Sequence, residues 1–333
     1  MGDCYSELGA DKKAVSIYEN LYDADSTNIK AGIRLAASLV NLQDYQYAYN
    51  VCEKISQIDN SNGYAYRQLG YCSQKLDTLP LAIKYYSKAL DVNYNDMISL
   101  QQLVNVLIKK KLHAEAIKIL SDRIAKDHDG VIPNRLLGDV YFSSGEYMKA
   151  LSNYSISMRS GDSTLYLLQK TGICYFLNAV SMDSNRVMAK TTCYTLAVKL
   201  LEESLQMEDN PVTCFYLAQA YQKLGNNKES IDNFNKTVKM MIPGFMPEIY
   251  IHLSECYSAL NDYPNLLNSY KAALLYDPNN YSLLLNIAEV YETGLQDNAF
   301  AVKYYREYLN KNSHDNEVIS KVKQKIIKLT KKN

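Results

Sequence analysis

The residue types that most often carry chemistry are scattered along this chain of 333 residues. Its four histidines are His113, His128, His252 and His314. None has a second His four residues away, or a Cys or Asp pair at metal-ligand spacing. Neither glycine-rich phosphate loops nor the G-x-S-x-G nucleophile motif occurs. Glu202-Glu203 is typical of a solvated helix face. The sequence therefore predicts no catalytic site, no metal site and no cofactor.

A unit of 34 residues recurs along most of the chain, and positions below are counted from the first residue of each repeat. Four successive ranges carry it without insertion: 29–62, 63–96, 97–130 and 131–164. The range 63–96 shows the pattern most fully, with Gly70, Ala82, Tyr86 and Ala89. Such a period predicts one supersecondary unit stacked on copies of itself, an architecture that usually offers a surface to other proteins.

Each repeat contains two apolar stripes at helical spacing, separated by a short polar turn. Glycines suited to end the first helix in the left-handed conformation are Gly9, Gly145, Gly225 and Gly294. Residues suited to cap the second helix are Asp44, Asn226 and Asp262. Glycines at position 8, where a bare Cα lets two helices approach closely, are Gly2, Gly70, Gly138 and Gly172. The pattern predicts a pair of packed helices in every repeat.

These residues resemble the tetratricopeptide repeat, a helix–turn–helix unit of the same length. The resemblance covers nearly the whole chain. Position 4 is often aliphatic here, as at Leu100 and Leu168, and the proline usual near the end of the unit survives only as Pro278. The resemblance implies an all-α fold, a right-handed α-α superhelix (solenoid) of helix-turn-helix repeats with a C-terminal capping helix.

We expect about nine repeats within residues 1–312. Their ranges are 1–28 (partial), 29–62, 63–96, 97–130, 131–164, 165–210, 211–246, 247–280 and 281–312. Residues 313–333 are expected to form a capping helix and a basic tail. The first repeat lacks the opening turns of its first helix, which predicts that native sequence precedes Met1. The lack of a visible signal peptide therefore decides little about the compartment.

Composition narrows the class of partner. Lys and Arg together number 36, as do Asp and Glu, so the formal net charge is zero. Nucleic-acid binders usually carry a cationic excess, so we predict no nucleic-acid partner. No stretch approaches the roughly 18 apolar residues of a membrane-spanning helix. The sequence does not determine the oligomeric state.

Four of the seven cysteines share position 10, a small apolar slot: Cys4, Cys72, Cys174 and Cys256. Cysteine behaves there as a compact hydrophobic residue, so we predict buried free thiols. Free thiols slightly favour a reducing compartment such as the cytoplasm. A periplasmic or secreted origin stays open because the start of the chain looks trimmed.

In the tetratricopeptide family, partner segments lie along a concave surface formed by first-helix positions 2, 5, 9, 12 and 13. Transferred to this sequence, those positions imply a groove that mixes cations with aromatics in repeats two to seven and becomes acidic in repeats eight and nine. The candidate groove residues are Lys30, Tyr64, Arg67, Tyr71, Lys75, Gln101, Asn105, Lys109, Arg135, Phe142, Tyr166, Phe176, Phe215, Lys223, Glu255 and Glu289. Each of them is also compatible with an ordinary solvated face or with packing between repeats.

Two segments interrupt the period. The sixth repeat has 12 extra residues around 179–192, which form either a contact loop or longer helices. The join at 240–247 is rich in Met, and either offers an adaptable contact patch or packs under a longer turn. Neither segment has a role that the sequence determines.

The sequence thus predicts a non-catalytic scaffold or adaptor that binds a protein or peptide segment in the groove. Three alternatives remain open. The chain could be a structural component of a larger assembly, including one of the cell envelope. It could be the substrate-recruiting arm of an enzyme whose catalytic domain lies outside this chain. It could also bind carbohydrate or peptidoglycan through groove aromatics.

Overall fold

The structure, a computed structural model, describes Tyr5 and residues 10–126, 130–240, 246–311 and 316–330. Over these ranges it contains α-helices and one π-helical segment, and no strand. The predicted all-α fold is confirmed. Contacts divide the chain into two compact units, Met1–Asp162 and Ser163–Asn333, called here the N-terminal half and the C-terminal half.

Helices in the described part of the N-terminal half alternate between first and second helices of the repeats. They are α1 (Asp11–Ala24), α2 (Ile29–Asn41), α3 (Tyr45–Ile58), α4 (Gly63–Lys75), α5 (Leu79–Val92), α6 (Met97–Lys109), α7 (His113–Lys126), α8 (Val131–Ser143) and α9 (Tyr147–Arg159). Each helix packs against the next one along the chain. The first helices α2, α4, α6 and α8 also contact one another in succession, which aligns their outward side chains on one face.

The C-terminal half continues the same alternation. Its described elements are α10 (Leu165–Ser181), α11 (Val187–Met207), α12 (Pro211–Lys223), α13 (Asn227–Lys239), α14 (Met246–Ala259), α15 (Tyr263–Tyr276), α16 (Ser282–Glu289), a π-helical turn (Val290–Gly294), α17 (Asn298–Lys311) and α18 (Asn316–Thr330). Helix α18 packs on α17 and buries Val322 and Leu329, as expected of a capping helix. The division of the whole chain into nine repeats remains our proposal.

Glycine at position 8 brings the two helices of a repeat into close contact. A Cβ added to Gly70 of α4 would lie only 2.7 Å from Cδ1 of Tyr86 on α5. Gly138 of α8 lies against Tyr154 of α9 in the same way. Both rings are fully buried, and the Tyr86 hydroxyl donates to Gln74 Oε1 at 3.0 Å. Tyr86 and Tyr154, both at position 24, are therefore core residues whose space is created by the facing glycine.

The cysteines also follow the apolar pattern. Cys72, Cys174 and Cys256 are buried and free, as predicted, whereas Cys4 lies outside the described residues. Burial raises the pKa of Cys72 to about 12, so its thiol stays protonated at neutral pH. These cysteines fill space and are poorly suited to act as nucleophiles.

The extra residues of the sixth repeat lengthen its helices. Helix α10 has 17 residues and α11 has 21, whereas first helices such as α8 have 13. Only 182–186 separate them, so the structure favours longer helices over a long contact loop. Residues 241–245 of the Met-rich join lie outside the described residues.

Two of the predicted helix-end roles are wrong. Gly145 and Gly225 have φ of +79° and +81°, as expected for the residue that ends a helix, but Gly294 has no positive φ. It lies at the end of the π-helical turn, against Tyr263, and Gln296 takes the left-handed conformation instead. The extra residue of the ninth repeat widens the helix, as single insertions commonly do. Asn226 precedes α13 without making a side-chain cap bond.

Cap residues link successive repeats, and Asp96 is the most heavily bonded of them. Its carboxylate accepts from the Ser99 backbone N–H at 3.1 Å, from Ser99 Oγ at 2.8 Å and from Arg67 Nη1 at 3.0 Å. Burial alone would raise the pKa of Asp96, but the hydrogen bonds from Ser99 and the charge of Arg67 outweigh it and hold the pKa below its ordinary value. Arg67 therefore holds the start of α6 in place.

The contact at Gly70 predicts a measurable loss of stability when a methyl group is added. Gly70→Ala should lower the free energy of unfolding by about 1–3 kcal/mol, because the Tyr86 ring must shift to make room. Gly63→Ala is the matched control, since a Cβ there meets its nearest atom at 3.4 Å. Urea unfolding followed by circular dichroism measures both. Equal midpoints for the two variants would contradict the close contact.

The lowered pKa of Asp96 predicts a pH-dependent contribution to stability. The contribution is fully present above the unfolded-state pKa of about 3.9 and is lost as the pH falls through the lower folded-state pKa. Asp96→Asn keeps a capping side chain but removes the charge, so it should cost about 1–2 kcal/mol at neutral pH. Urea unfolding of both proteins at pH 7, 5 and 3 should show this difference shrinking only at the lowest pH. A difference that is constant with pH would be evidence against a charged Asp96.

Candidate protein-binding surface

The outward face of α2, α4, α6 and α8 is called here the N-terminal groove. Near its centre is a cavity of about 320 Å³. Its lining combines apolar and amide side chains with one arginine: Val40, Arg67, Gln68, Tyr71, Tyr86, Ile98 and Gln102. Three successive first helices contribute to it, so its shape depends on the stacking of the repeats.

An aromatic pair with a cation borders this cavity. Tyr71 contacts Tyr45 edge-to-face with ring centroids 6.1 Å apart. Lys75 Nζ lies 5.3 Å from the centroid of Tyr71 and 5.9 Å from that of Tyr45. Lys75 is exposed and makes no ion pair with any described residue. A partner can therefore reach both its charge and the Tyr71 ring.

Hydrophobic surface is exposed at the same place. Ile98, at the start of α6, lines the cavity and is 59% exposed. Val40 of α2 also lines the cavity and is half-buried. A patch that combines an exposed aliphatic residue, an aromatic ring and amide donors is typical of the centre of a protein interface.

The structure exposes most of the predicted groove residues. Exposed are Lys30, Lys75, Gln101, Asn105, Lys109, Tyr166, Lys223, Glu255 and Glu289; half-buried are Tyr64, Arg67, Tyr71, Arg135 and Phe142; buried are Phe176 and Phe215. The cavity brings together only Arg67 and Tyr71 from this set. The others are distributed along the two halves.

The prediction of Phe176 and Phe215 as groove residues is wrong. Phe176 is 5% exposed, and its ring contacts those of Tyr194 and Tyr216. Phe215 is 7% exposed and packs against Phe234. Both rings fill the core between helices, because neighbouring aromatic side chains close over them.

The groove arginines are not available as free charges. Arg67 pairs with Asp96, and Arg135 Nη1 lies 3.1 Å from Asp162 Oδ2, with the two Asp side chains 7% and 4% exposed. Lys109 lies 3.1 Å from Asp77, but both side chains are exposed, so this pair contributes little. The predicted cationic character of the groove therefore belongs mainly to its lysines.

The acidic positions of the C-terminal half are also partly neutralised. Lys325 of α18 lies 3.0 Å from Glu289 and 3.4 Å from Glu292, and it donates to the Tyr305 hydroxyl at 3.0 Å. Glu255 accepts from Gln222 Nε2 at 2.9 Å. The capping helix thus supplies a counter-charge to Glu289 and Glu292 from within the chain.

Several residues near these surfaces were missed from the sequence. Gln68 and Gln102 line the cavity from position 6 of adjacent repeats, and a glutamine at the same position in both was the available signal. His252 contacts Gln219 at 2.9 Å and stacks on Phe234 with ring centroids 5.4 Å apart. In the sequence His252 looks isolated because its neighbours come from two earlier helices.

Within the described ranges, no group of three or more His, Cys, Asp or Glu could hold a metal ion. His128 and His314 lie outside those ranges. Across the same residues, no helix combines the length and the apolar character needed to cross a bilayer.

Comparisons with known proteins agree with the repeat. No protein-family model matches the chain. A TPR repeat-containing protein of Methanocaldococcus jannaschii is 22% identical over 298 residues, which cover 86% of this chain and 51% of that protein. The chain therefore spans about half the length of that relative.

Solved structures show the same fold at low identity. The C-terminal part of a TPR repeat-containing protein from Cytophaga hutchinsonii has a TM-score of 0.55 at 17% identity, covering 76% of this chain and 98% of that one. The human IFIT1 dimer with m7Gppp-AAAA has a TM-score of 0.51 at 17% identity, covering 93% and 80%. The predicted helical-repeat superhelix is confirmed. The 34-residue period, the paired helices and these similarities together support a tetratricopeptide-type repeat protein.

Proposed function

We propose that this chain is a non-catalytic scaffold that holds a segment of a partner protein against the N-terminal groove. The observation that carries the proposal is the cavity of about 320 Å³ beside the exposed Ile98. Ile98 is 59% exposed beside an apolar cavity, so a partner's side chain that covers this surface would stabilise the complex by burying apolar area.

The groove chemistry favours a peptide over a free small molecule. The cavity has room for one or two side chains and is open to solvent instead of enclosed. Gln101 and Asn105 are exposed on α6, where their amides can bond to the backbone of an extended segment. An apolar anchor residue flanked by backbone hydrogen bonds is the arrangement we expect.

Charge gives the segment a preferred composition. The pairing of Arg67 and Arg135 with buried carboxylates leaves Lys75 as the exposed cation beside the anchor cavity. Lys75 sits over two tyrosine rings, so an acidic residue of the partner would approach a cation held in place by those rings. We expect a segment with an apolar residue and a nearby Asp or Glu.

Nucleic acid is the rival ligand class. The human IFIT1 structure contains m7Gppp-AAAA, so a repeat fold of this kind holds RNA in that protein. The zero net charge of this chain and the internal pairing of its groove arginines support a protein partner instead. An RNA oligonucleotide is therefore included in the test.

The proposal predicts that one charge in the groove weakens binding. Peptides selected from a random displayed library on the intact chain should bind Ile98→Glu at least about tenfold more weakly, because a carboxylate would have to be desolvated in the apolar cavity. Tyr71→Ala should weaken the same peptides by removing the aromatic wall. Fluorescence anisotropy of labelled peptides measures both effects.

Met148→Glu is the matched control, since Met148 on α9 is 63% exposed and lies on a second helix. It should bind the selected peptides as the unaltered chain does. Equal affinity for Ile98→Glu and Met148→Glu would exclude the groove as the binding site. Tight, salt-sensitive binding of an A-rich RNA oligonucleotide with no peptide selected would favour the rival class.

A further inference from the structure

Arg123 on α7 carries a buried charge that pairs with no carboxylate among the described residues. The residue is 6% exposed. Its Nη1 donates to the backbone oxygen of Tyr94 at 2.6 Å, and its guanidinium carbon lies 4.0 Å from the centroid of the Tyr94 ring. Within the described ranges, no Asp or Glu forms an ion pair with it. The remaining guanidinium donors therefore have no protein acceptor there.

This arrangement differs from that of the two half-buried groove arginines in the N-terminal half. Arg67 and Arg135 each reach a buried aspartate. Buried charges are usually paired, because removing an ion from water is costly. Burial accordingly lowers the pKa of Arg123, although a guanidinium remains charged at neutral pH. The Tyr94 ring and the Tyr94 carbonyl oxygen contact only part of the Arg123 guanidinium, so an anion can bind to the rest of it.

A cavity of about 240 Å³ gives access to this charge. It lies between α5, α6 and α7, and Leu90, Leu103 and Ile119 form apolar walls around Arg123 and Lys126. None of its lining residues belongs to the cavity of the N-terminal groove. The two cavities are therefore separate, one on first helices and this one beside the second helices α5 and α7.

We propose that this cavity binds the carboxylate of a glutamate side chain presented by a partner protein. A carboxylate would supply the counter-charge that the described residues do not give Arg123, and guanidinium pairs with carboxylate through parallel hydrogen bonds. The two methylene groups of glutamate would contact the apolar walls. The cavity is smaller than the roughly 300–1,000 Å³ typical of ligand pockets, so it suits one side chain better than a free metabolite.

Two acidic residues at the cavity tune this site. Asp91 and Asp122 line it, both are exposed, and neither pairs with Arg123. Their charges oppose the approach of a carboxylate, while Lys126 favours it. Removal of the two aspartate charges should therefore increase the affinity for glutamate, because their repulsion of the carboxylate is lost.

The test uses N-acetyl-glutamate N-methylamide as the probe and its glutamine counterpart as the uncharged control. Titration into the full chain, followed by NMR of the arginine Nε–Hε groups, should shift the Arg123 signal with the glutamate probe only. Asp91→Asn with Asp122→Asn should lower the dissociation constant severalfold. Arg123→Met should weaken binding at least about tenfold, and Arg159→Met, an exposed arginine on α9, should not change it.

Equal shifts with the glutamine probe, or an Arg123 signal that neither probe moves, would overturn the proposal. So would weaker binding by the double asparagine variant. If Arg123→Met does not fold, the probe comparison and the double asparagine variant still decide the question. The site is independent of the proposed groove, so Ile98→Glu should leave glutamate binding unchanged, and failure of one proposal does not imply failure of the other.

Discussion

The contact between position 8 of the first helix and position 24 of the second sets the geometry of the repeats. Where position 8 is Gly70 or Gly138, position 24 is a tyrosine whose ring occupies the space that a Cβ would fill. Where position 8 is Val104, position 24 is the smaller Leu120, and both are fully buried. In these three repeats the larger side chain at position 24 faces a smaller residue at position 8, so the space between the two helices is filled, as close packing requires.

The same contact constrains the groove. A buried tyrosine hydroxyl needs a hydrogen-bond partner. At position 24 it finds one on the first helix: Tyr86 donates to Gln74, and Tyr154 donates to Asp139 at 2.8 Å. Gln74 and Asp139 occupy groove positions 12 and 9. Part of the polarity of the groove is therefore required by the core, and a polar residue there is weak evidence of partner binding. The exposed Ile98 is stronger evidence, because nothing in the core requires it.

The sequence predicted what depends on local pattern and missed what depends on distant contacts. The period predicted the paired helices, and Asp44 and Asp262 cap their helices as expected, because a cap bonds within three residues. The helix-ending role predicted for Gly294 was wrong because a π-helical turn accommodates the extra residue, and no residue pattern in the sequence marks that turn. Phe176 and Phe215 were placed in the groove because a position number does not show which neighbouring rings cover a side chain. Arg67 looked like a free cation because its partner Asp96 lies 29 residues away.

Arginine is a poor guide to function in this chain until its partner is known. Arg67 and Arg135 lie on the predicted binding face, yet each is satisfied by a buried aspartate and serves the architecture. Arg123 lies away from that face on a second helix, yet it holds a charge that the described protein does not neutralise. A partner gains binding free energy when it pairs a buried charge or covers exposed apolar surface. It gains little when it pairs a charge that is already solvated. By that physical criterion Ile98 and Arg123 rank above most residues that the repeat positions alone select.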